Sequence, residues 1–342
     1  GNEALLTRNP LSPLMYSRSK IENTAAGANP YMYPATDWRE ELIDNYAYNQ
    51  RLDFSVRGGG RVARYYVSGA YNYDSGNLKN NGINNFNNNI SLKSYYLRSN
   101  VNINVTKTTK ATIRLSGSFD DYSGPISGGS DIYNKIMHAN PVMFPAYYPA
   151  NVLPYSRHIL FGNAVSQNDT EGVGFANPYA EMVRGYKEFA KSNLNTQFGV
   201  EQDLSMVING LSARAMFNVS RYAYFDAVRS YNPYFYRIMN FDRHTGDYSI
   251  DLLNASDNPT EYLNYTQGTP DLNSSNYIEA ALMYDNEFGA KHSVSGLLIA
   301  IRQQRLYANQ ATLQTSLPYR NEGISGRFTY GFDRRYLAEF NF

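Results

Sequence analysis

Residues 97–119 read LRSNVNINVTKTTKATIRLSGSF and carry the plainest two-residue alternation in the chain. Apolar residues occupy one set of alternate positions on each side of a central turn, interrupted at Ser99: Leu97, Val101, Ile103, Val105, then Ala111, Ile113, Leu115, Gly117 and Phe119. Because successive side chains of a strand point to opposite faces, the stretch predicts a β-hairpin with one apolar and one polar face. Pairing Val105 with Ala111 across a turn at 106–110 puts both apolar rows on one face, and we predict that register.

Similar hairpins recur along the chain, and the connections between strands alternate in length. Turns within hairpins take a few residues, as at 58–60, where three glycines follow one another. Connections between hairpins are long and rich in Asn, Gly, Ser, Pro and Tyr, at 74–93, 121–191, 226–275 and 305–321. Short turns at one end and long loops at the other are typical of a transmembrane, antiparallel, up-and-down β-barrel.

The strand pattern divides the chain into two parts. Residues 1–48 are predicted as an irregular segment leading into the barrel, with one helical turn N-capped by Asp37. Residues 49–342 are predicted as about ten barrel strands of roughly 10 to 14 residues, long enough to cross a bilayer at a tilt. We read the sequence as an internal piece of a longer barrel protein.

Composition narrows the possible partners and chemistry. A net charge of +1 with 18% charged residues predicts no concentrated basic face, so we expect no nucleic-acid partner. The absence of cysteine excludes disulfides, thiolate metal sites and cysteine nucleophiles. Aromatic residues make up 15% of the chain, which argues against disorder and fits strands and the aromatic girdles of barrels.

Alternation alone leaves a second architecture open. A soluble β-sandwich buries its apolar faces between two sheets, whereas a barrel turns them outward to lipid and encloses a polar lumen. Strand length and the one-sided long loops favour the barrel. The alternative is a surface β-sandwich adhesin or glycan-binding protein without transport.

Two blocks of sequence go beyond a general pattern. The first combines DWREEL at 37–42, NQRLDFSVRGG at 49–59 and ARYYVS at 63–68, and the second is LPYRNEGISGRFTYGFDRRYLAEFNF at 317–342. Both blocks resemble barrel strands of the SusC/RagA family of TonB-dependent outer-membrane transporters of Bacteroidetes. Arg57 stands where that family usually has a small residue, and we expect this difference to affect a turn only.

The resemblance implies an architecture, an activity and a set of partners. The architecture is a barrel of about 22 strands, with a plug domain before residue 1 and further strands after residue 342. The activity is active uptake, at the bacterial outer membrane, of a large nutrient, either an oligosaccharide or a peptide. The partners are a SusD/RagB-like lipoprotein over the outer mouth, TonB acting on the missing N-terminal region, and the lipid bilayer. The oligomer is a dimer of transporter–lipoprotein pairs.

Two groups of residues are candidates for contact with cargo or partners. The first group consists of aromatic residues in predicted outer loops: Tyr147, Tyr148, Tyr231, Tyr234, Phe235 and Tyr236. Aromatic faces stack on sugar rings and anchor protein partners, although packing within the loops is an open alternative. The second group consists of charged residues on polar strand faces, predicted to face the lumen: Arg98, Arg114, Glu201, Asp203 and Arg214. They contact either the plug or solvent.

No catalytic residue, metal site or cofactor is predicted. The four histidines lack the His-x-Glu and i,i+4 spacings of a metal site, and no Gly-x-Ser-x-Gly motif occurs. We therefore expect a transport protein, with a barrel enzyme as the weaker alternative.

Overall fold

The computed structural model describes residues 16–165, 174–289 and 291–342. Its strands are β1 (Asn49–Gly59), β2 (Ala63–Ser75), β3 (Ser91–Asn104), β4 (Thr109–Gly124), β5 (Tyr147–Tyr148), β6 (Leu160–Gly162), β7 (Gly185–Asp203), β8 (Leu211–Ser230), β9 (Phe235–Phe241), β10 (Tyr248–Leu252), β11 (Asn264–Gln267), β12 (Asp271–Phe288), β13 (His292–Tyr307), β14 (Tyr319–Phe332) and β15 (Tyr336–Asn341). Its helices are α1 (Arg18–Ala25), α2 (Trp38–Leu42), α3 (Gly129–His138), α4 (Pro178–Val183) and α5 (Leu313–Ser316), with short 3-10 turns at Ala150–Val152 and Ala255–Asp257. None of the described helices has the length and apolar composition needed to cross a membrane.

Most strands form one antiparallel sheet, which we call the strand wall. Its order is β1-β2-β3-β4-β7-β8-β12-β13-β14-β15, and β11 pairs additionally with β8. Apart from β5, β6 and β9–β11, which lie in the long connections, strands that are adjacent in the wall are also consecutive in the chain. This is the order of an up-and-down meander. The longest strand, β8, has 20 residues, far more than the roughly 5 or 6 of an average globular strand.

The predicted hairpin of residues 97–119 forms, but with a different register. Ile103, not Val105, pairs with Ala111, so the predicted register is wrong by two residues. The turn is shorter than predicted because Thr106 closes it: its hydroxyl accepts hydrogen bonds from the backbone N–H groups of Thr108 and Thr109, at 3.2 and 2.9 Å. A shift of two residues preserves the face of every side chain, so the apolar rows still coincide.

The two faces of the strand wall differ in chemistry, as the alternation predicts. One face, the apolar face, carries Leu, Ile, Val and Phe that remain exposed: Leu52 is 64% exposed, Phe198 45% and Ile324 71%. The other, the polar face, carries mostly Arg, Asn, Gln, Ser and Glu, with Ile299 and Ile301 of β13 as exceptions. Neither hydrophobic cluster found among the described residues includes a residue of the apolar face. The wall is therefore a single layer, as in a membrane barrel, and not half of a sandwich.

Connection lengths alternate between the two ends of the wall. At one end, strands are joined by short turns at 60–62, 105–108, 204–210, 289–291 and 333–335, the fourth of which contains Ala290, outside the described residues. At the other end, the connections are much longer. β4 extends to Gly124 and β7 begins at Gly185, so both strands continue into the segment predicted as loop. They are longer than predicted because their tips continue to pair although the residues there no longer alternate in polarity.

The long connections are folded and not irregular. Their strands form a second sheet in the order β10-β9-β6-β5, in which β6 and β9 are parallel. α2, α3 and α4 pack beside it around a core that contains Trp38, Leu42, Ile132, Phe144, Phe161, Tyr179 and Met182. We call this unit, within residues 29–46, 76–90, 125–165, 174–184 and 231–262, the loop domain. The predicted helical turn is confirmed as α2, and Asp37 caps it by accepting from the Glu40 backbone N–H at 2.9 Å.

Candidate functional site

The polar face brings two predicted lumen residues close together. Arg98 on β3 and Arg114 on β4 are diagonal neighbours, because Arg98 pairs with Ser116 and Arg114 pairs with Asn100. Both arginine side chains are exposed. With amide and hydroxyl groups they line a concavity of about 320 Å³, which we call the arginine cradle: Arg98, Asn100, Arg114, Ser116, Asn195 and Gln197.

Two other predicted lumen residues belong to a charged network nearer the short turns. Glu201 and Arg214 are cross-strand partners on β7 and β8. Arg214 nevertheless forms its close ion pair with Glu279 of β12, at 2.7 Å, and Glu201 lies 3.9 Å from the Lys110 amino group. These residues line a second concavity of about 820 Å³ on the same face.

Asp203 lies apart from the other four, at the end of β7. Its carboxylate accepts from the backbone N–H of Ser205 at 2.8 Å and also from the Ser205 hydroxyl. This carboxylate therefore closes the turn at 204–210.

The predicted aromatic residues divide between the two cores of the loop domain. Tyr147, Tyr231 and Phe235 are half-buried and pack against the larger core. The Tyr147 ring lies 5.2 Å from the ring of buried Tyr179, and Phe235 lies 6.1 Å from Phe161. Most of this aromatic surface is used for packing within the domain.

The other three aromatic candidates belong to the smaller core, and two of them, Tyr234 and Tyr236, contact a histidine. Tyr148 and Tyr236 are buried, and Tyr234 is half-buried beside them. His158 stacks on the Tyr234 ring with centroids 3.8 Å apart, and its Nε2 lies 2.8 Å from the Tyr236 hydroxyl. Its Nδ1 lies 2.9 Å from a Glu261 carboxylate oxygen. The imidazole of His158 therefore joins two long connections of the chain, β4–β7 and β8–β12.

Burial raises the pKa of several tyrosine hydroxyl groups in the loop domain. It raises the pKa of Tyr236 to about 12, with a further contribution from the nearby charges of Tyr234 and Glu261. Burial likewise raises the pKa of Tyr179 to about 12, and it raises the pKa of Tyr148. These hydroxyls are held neutral, which suits them to packing and hydrogen bonding.

Several residues of these clusters were not singled out from the sequence. Glu279 lies on the polar face of β12, and the alternation of that strand could have indicated it. His158, Glu261 and Asn177 carry no local signal, because their partners lie far away in the chain. The Asn177 side-chain amide donates to the Ala146 and Gly162 carbonyls, both at 2.8 Å, and its oxygen caps α4.

Comparisons with known proteins agree with this architecture. No protein-family model and no curated protein matches the sequence. The fold is similar to solved structures of the RagAB peptide transporter (TM-score 0.56, 15% identity, 94% of this chain and 36% of that chain) and of the RagAB peptide importer in the open-open state (0.54, 14%, 99% and 37%) and closed-closed state (0.52, 14%, 90% and 32%). The chain spans about a third of those proteins. At the level of fold, the predicted resemblance is confirmed, and so is the predicted antiparallel barrel architecture.

Proposed function

We propose that this chain is the wall and outer mouth of an outer-membrane importer that takes up peptides. In this assignment the strand wall crosses the bilayer, its apolar face meets lipid and its polar face lines the path of the cargo. The loop domain stands at the outer mouth, since short turns face the periplasm and long connections face the exterior in such barrels. The function is transport and not catalysis.

One observation carries the proposal: over most of their length the long strands expose an apolar face, while the opposite face is largely polar. Soluble monomers rarely expose contiguous apolar patches larger than a few hundred Å². Nine of the ten neighbouring strands carry exposed Leu, Ile, Val or Phe, and β2 carries exposed Tyr65, so the apolar surface is wider than such a patch. Hydrocarbon is the medium in which this surface is stable. Arg98, Arg114 and Arg214 point away from this face, where charge would be costly.

Peptide is the cargo that we favour. The similar solved structures are peptide importers, and the amides of Asn100, Asn195 and Gln197 offer donors and acceptors that match a peptide backbone. An oligosaccharide is the second candidate, and the half-buried rings of Tyr147 and Tyr234 support it because aromatic faces stack on sugar rings.

Partners follow from the sequence resemblance. We infer a SusD/RagB-like lipoprotein over the loop domain and TonB as the source of energy through a region outside this sequence. The lipoprotein would bind the cargo outside the cell, and TonB would open the closed path through the barrel. The transporter–lipoprotein pairs would assemble as dimers.

The membrane assignment is tested on the purified full-length protein. We expect it to require detergent for solubility and to migrate differently in SDS gels before and after boiling, because a closed barrel resists SDS until heated. Solubility without detergent, together with identical migration, would contradict the assignment.

The transport assignment is tested in cells that carry or lack the gene. Cells with the gene should accumulate a labelled peptide pool, and collapse of the proton gradient should abolish the difference. A labelled oligosaccharide pool tests the second candidate in the same cells. Equal accumulation of both pools with and without the gene would rule out import.

A further inference from the structure

The arginine cradle holds two positive charges that the described part of the chain does not neutralise. Arg98 and Arg114 are exposed on the polar face, and neither guanidinium forms an ion pair with a carboxylate among residues 16–165, 174–289 and 291–342. The cradle supplies further hydrogen-bonding groups from Asn100, Asn195 and Gln197. Such a surface presents donors at a fixed spacing.

Two acidic residues along the same face, Glu279 and Glu201, already have partners, whereas Asp53 of β1 lines a larger concavity together with Arg98. Glu279 accepts from Arg214 at 2.7 Å and from the Tyr277 hydroxyl at 2.8 Å. Glu201 faces the Lys110 amino group. Turning either carboxylate toward Arg98 or Arg114 would break these contacts, although the concavity of the charged network adjoins the cradle and shares Arg114 and Gln197 with it.

The surroundings strengthen the positive potential of the cradle. Arg57 on β1 lies in the same cross-strand row, because it pairs with Tyr66, which pairs with Asn100. On the opposite face, directly behind the cradle, Leu97 and Leu115 are exposed apolar residues. A low-dielectric medium behind the wall does not screen these charges, and their field is directed into the lumen.

We propose that the arginine cradle binds carboxylate groups of the cargo, so that the importer favours acidic peptides. A guanidinium group matches a carboxylate with two parallel N–H···O bonds, and two guanidinium groups on adjacent strands reach carboxylates on one extended peptide. The amides of the cradle then hydrogen-bond the neighbouring peptide groups. This inference rests on the proposed function and narrows its substrate class.

The test measures binding to the purified full-length protein in detergent. The probes are a short Glu–Gly repeat peptide and a Gln–Gly repeat peptide of the same length. We expect the parent to bind the acidic peptide about tenfold more tightly, and Arg98→Gln with Arg114→Gln to abolish this preference, since charged hydrogen bonds are worth about a factor of ten in affinity. Arg98→Lys with Arg114→Lys should retain most of it.

The matched control removes two positive charges elsewhere. Arg61→Gln with Lys107→Gln changes the net charge equally, but both residues lie in short turns at the end of the wall. This variant should keep the acidic preference. Loss of the preference in the control would show a general effect of charge and overturn the assignment to the cradle.

Two further outcomes would overturn the inference. The first is equal binding of both peptides by the parent protein. The second is an equal loss of both peptides in the Arg98→Gln, Arg114→Gln variant, which would mean that the cradle binds carboxylates of the protein itself. Binding is measured without import, so failure of the proposed function is distinguishable from failure of this inference. If the protein binds the acidic peptide through the cradle but imports neither peptide, the inference about the cradle holds and the proposed import function is wrong.

Discussion

Leucine has opposite environments in the two regions of this molecule. Leu42 in the loop domain is fully buried among aromatic and aliphatic neighbours, whereas Leu52 in the strand wall is mostly exposed. Only a few residues separate them in the chain. The contrast shows that the two regions are built for two media: the loop domain makes its own apolar interior in water, and the wall requires an apolar surrounding.

This difference in medium changes what stabilises each region. In the loop domain, burial of side chains against one another supplies the free energy, and polar groups such as Asn177 must find partners inside. In the wall, pairing satisfies the backbone of the strands, and in the proposed function lipid covers the apolar side chains. A change that damages one region should therefore leave the other largely intact.

Raising the pH should produce the largest difference in stability between the loop domain and the wall. Burial raises the pKa of Tyr179, Tyr236 and Tyr248 to about 12, against about 10 for tyrosine in an unfolded chain. A raised pKa means that their stabilising contribution is complete below pH about 10 and is lost as the pH rises toward 12. We expect hydrogen exchange to show the loop domain opening in this range while the wall stays protected.

The variant Tyr179→Phe sharpens this comparison. It removes one buried ionisable group and should move the opening of the loop domain to higher pH. If the wall and the loop domain lost protection at the same pH in both proteins, the two regions would not be independent.

Phe161→Ala should destabilise the loop domain by about 3 to 5 kcal/mol, because truncating a fully buried phenylalanine leaves a cavity. Tyr155→Ala is the control: Tyr155 is 98% exposed, and its loss should change stability by less than about 0.5 kcal/mol. Denaturant unfolding followed by protease resistance of the loop domain measures both variants. A similar cost for the two would contradict a packed core.

Phe198→Arg should cost about 2 to 4 kcal/mol in a bilayer, since it places a charge on the lipid-facing side of β7. Gln197→Arg places the same residue one position earlier, on the polar face opposite Arg114, where like-charge repulsion between the strands should cost less than about 1 kcal/mol. Urea unfolding from lipid vesicles compares them. Equal costs would mean that the two faces meet the same medium.

Asn177→Ala should destabilise the loop domain by about 2 kcal/mol, because it removes a helix cap and leaves two buried carbonyls without their donor. Asn177→Ser keeps a capping oxygen but no longer bridges both carbonyls, so it should cost about half as much. Thermal unfolding of the loop domain measures the difference. Unchanged thermal stability of Asn177→Ala would show that the hydrogen bonds of Asn177 do not stabilise the loop domain.

The faces of the wall strands were predictable because they depend on the pattern of neighbouring residues in the sequence. Alternation in 97–119 placed every side chain on the correct face, although the pairing of Val105 with Ala111 was wrong. Periodicity of two specifies faces but does not distinguish registers that differ by two residues. Hydrogen bonds of the Thr106 hydroxyl decided between them.

The candidate sites were predictable to different extents. The sequence indicated Arg98 and Arg114 by alternation alone, and the structure added that they are neighbours and that Glu279 is the partner of Arg214. The aromatic candidates were found by composition, which does not show whether a ring packs inside a domain or faces a ligand. Their role in binding stays a prediction.

Strand length, face polarity and the alternation of short and long connections follow from the order of residues, because each depends on neighbours a few positions apart. The loop domain does not: His158 meets Glu261 and Asn29 reaches Gly246 across more than a hundred residues. Contacts at such separations depend on how the wall brings its long connections together at one end. The tertiary structure therefore decided which aromatic rings became core and which charged side chains lack an ion-pair partner among the described residues.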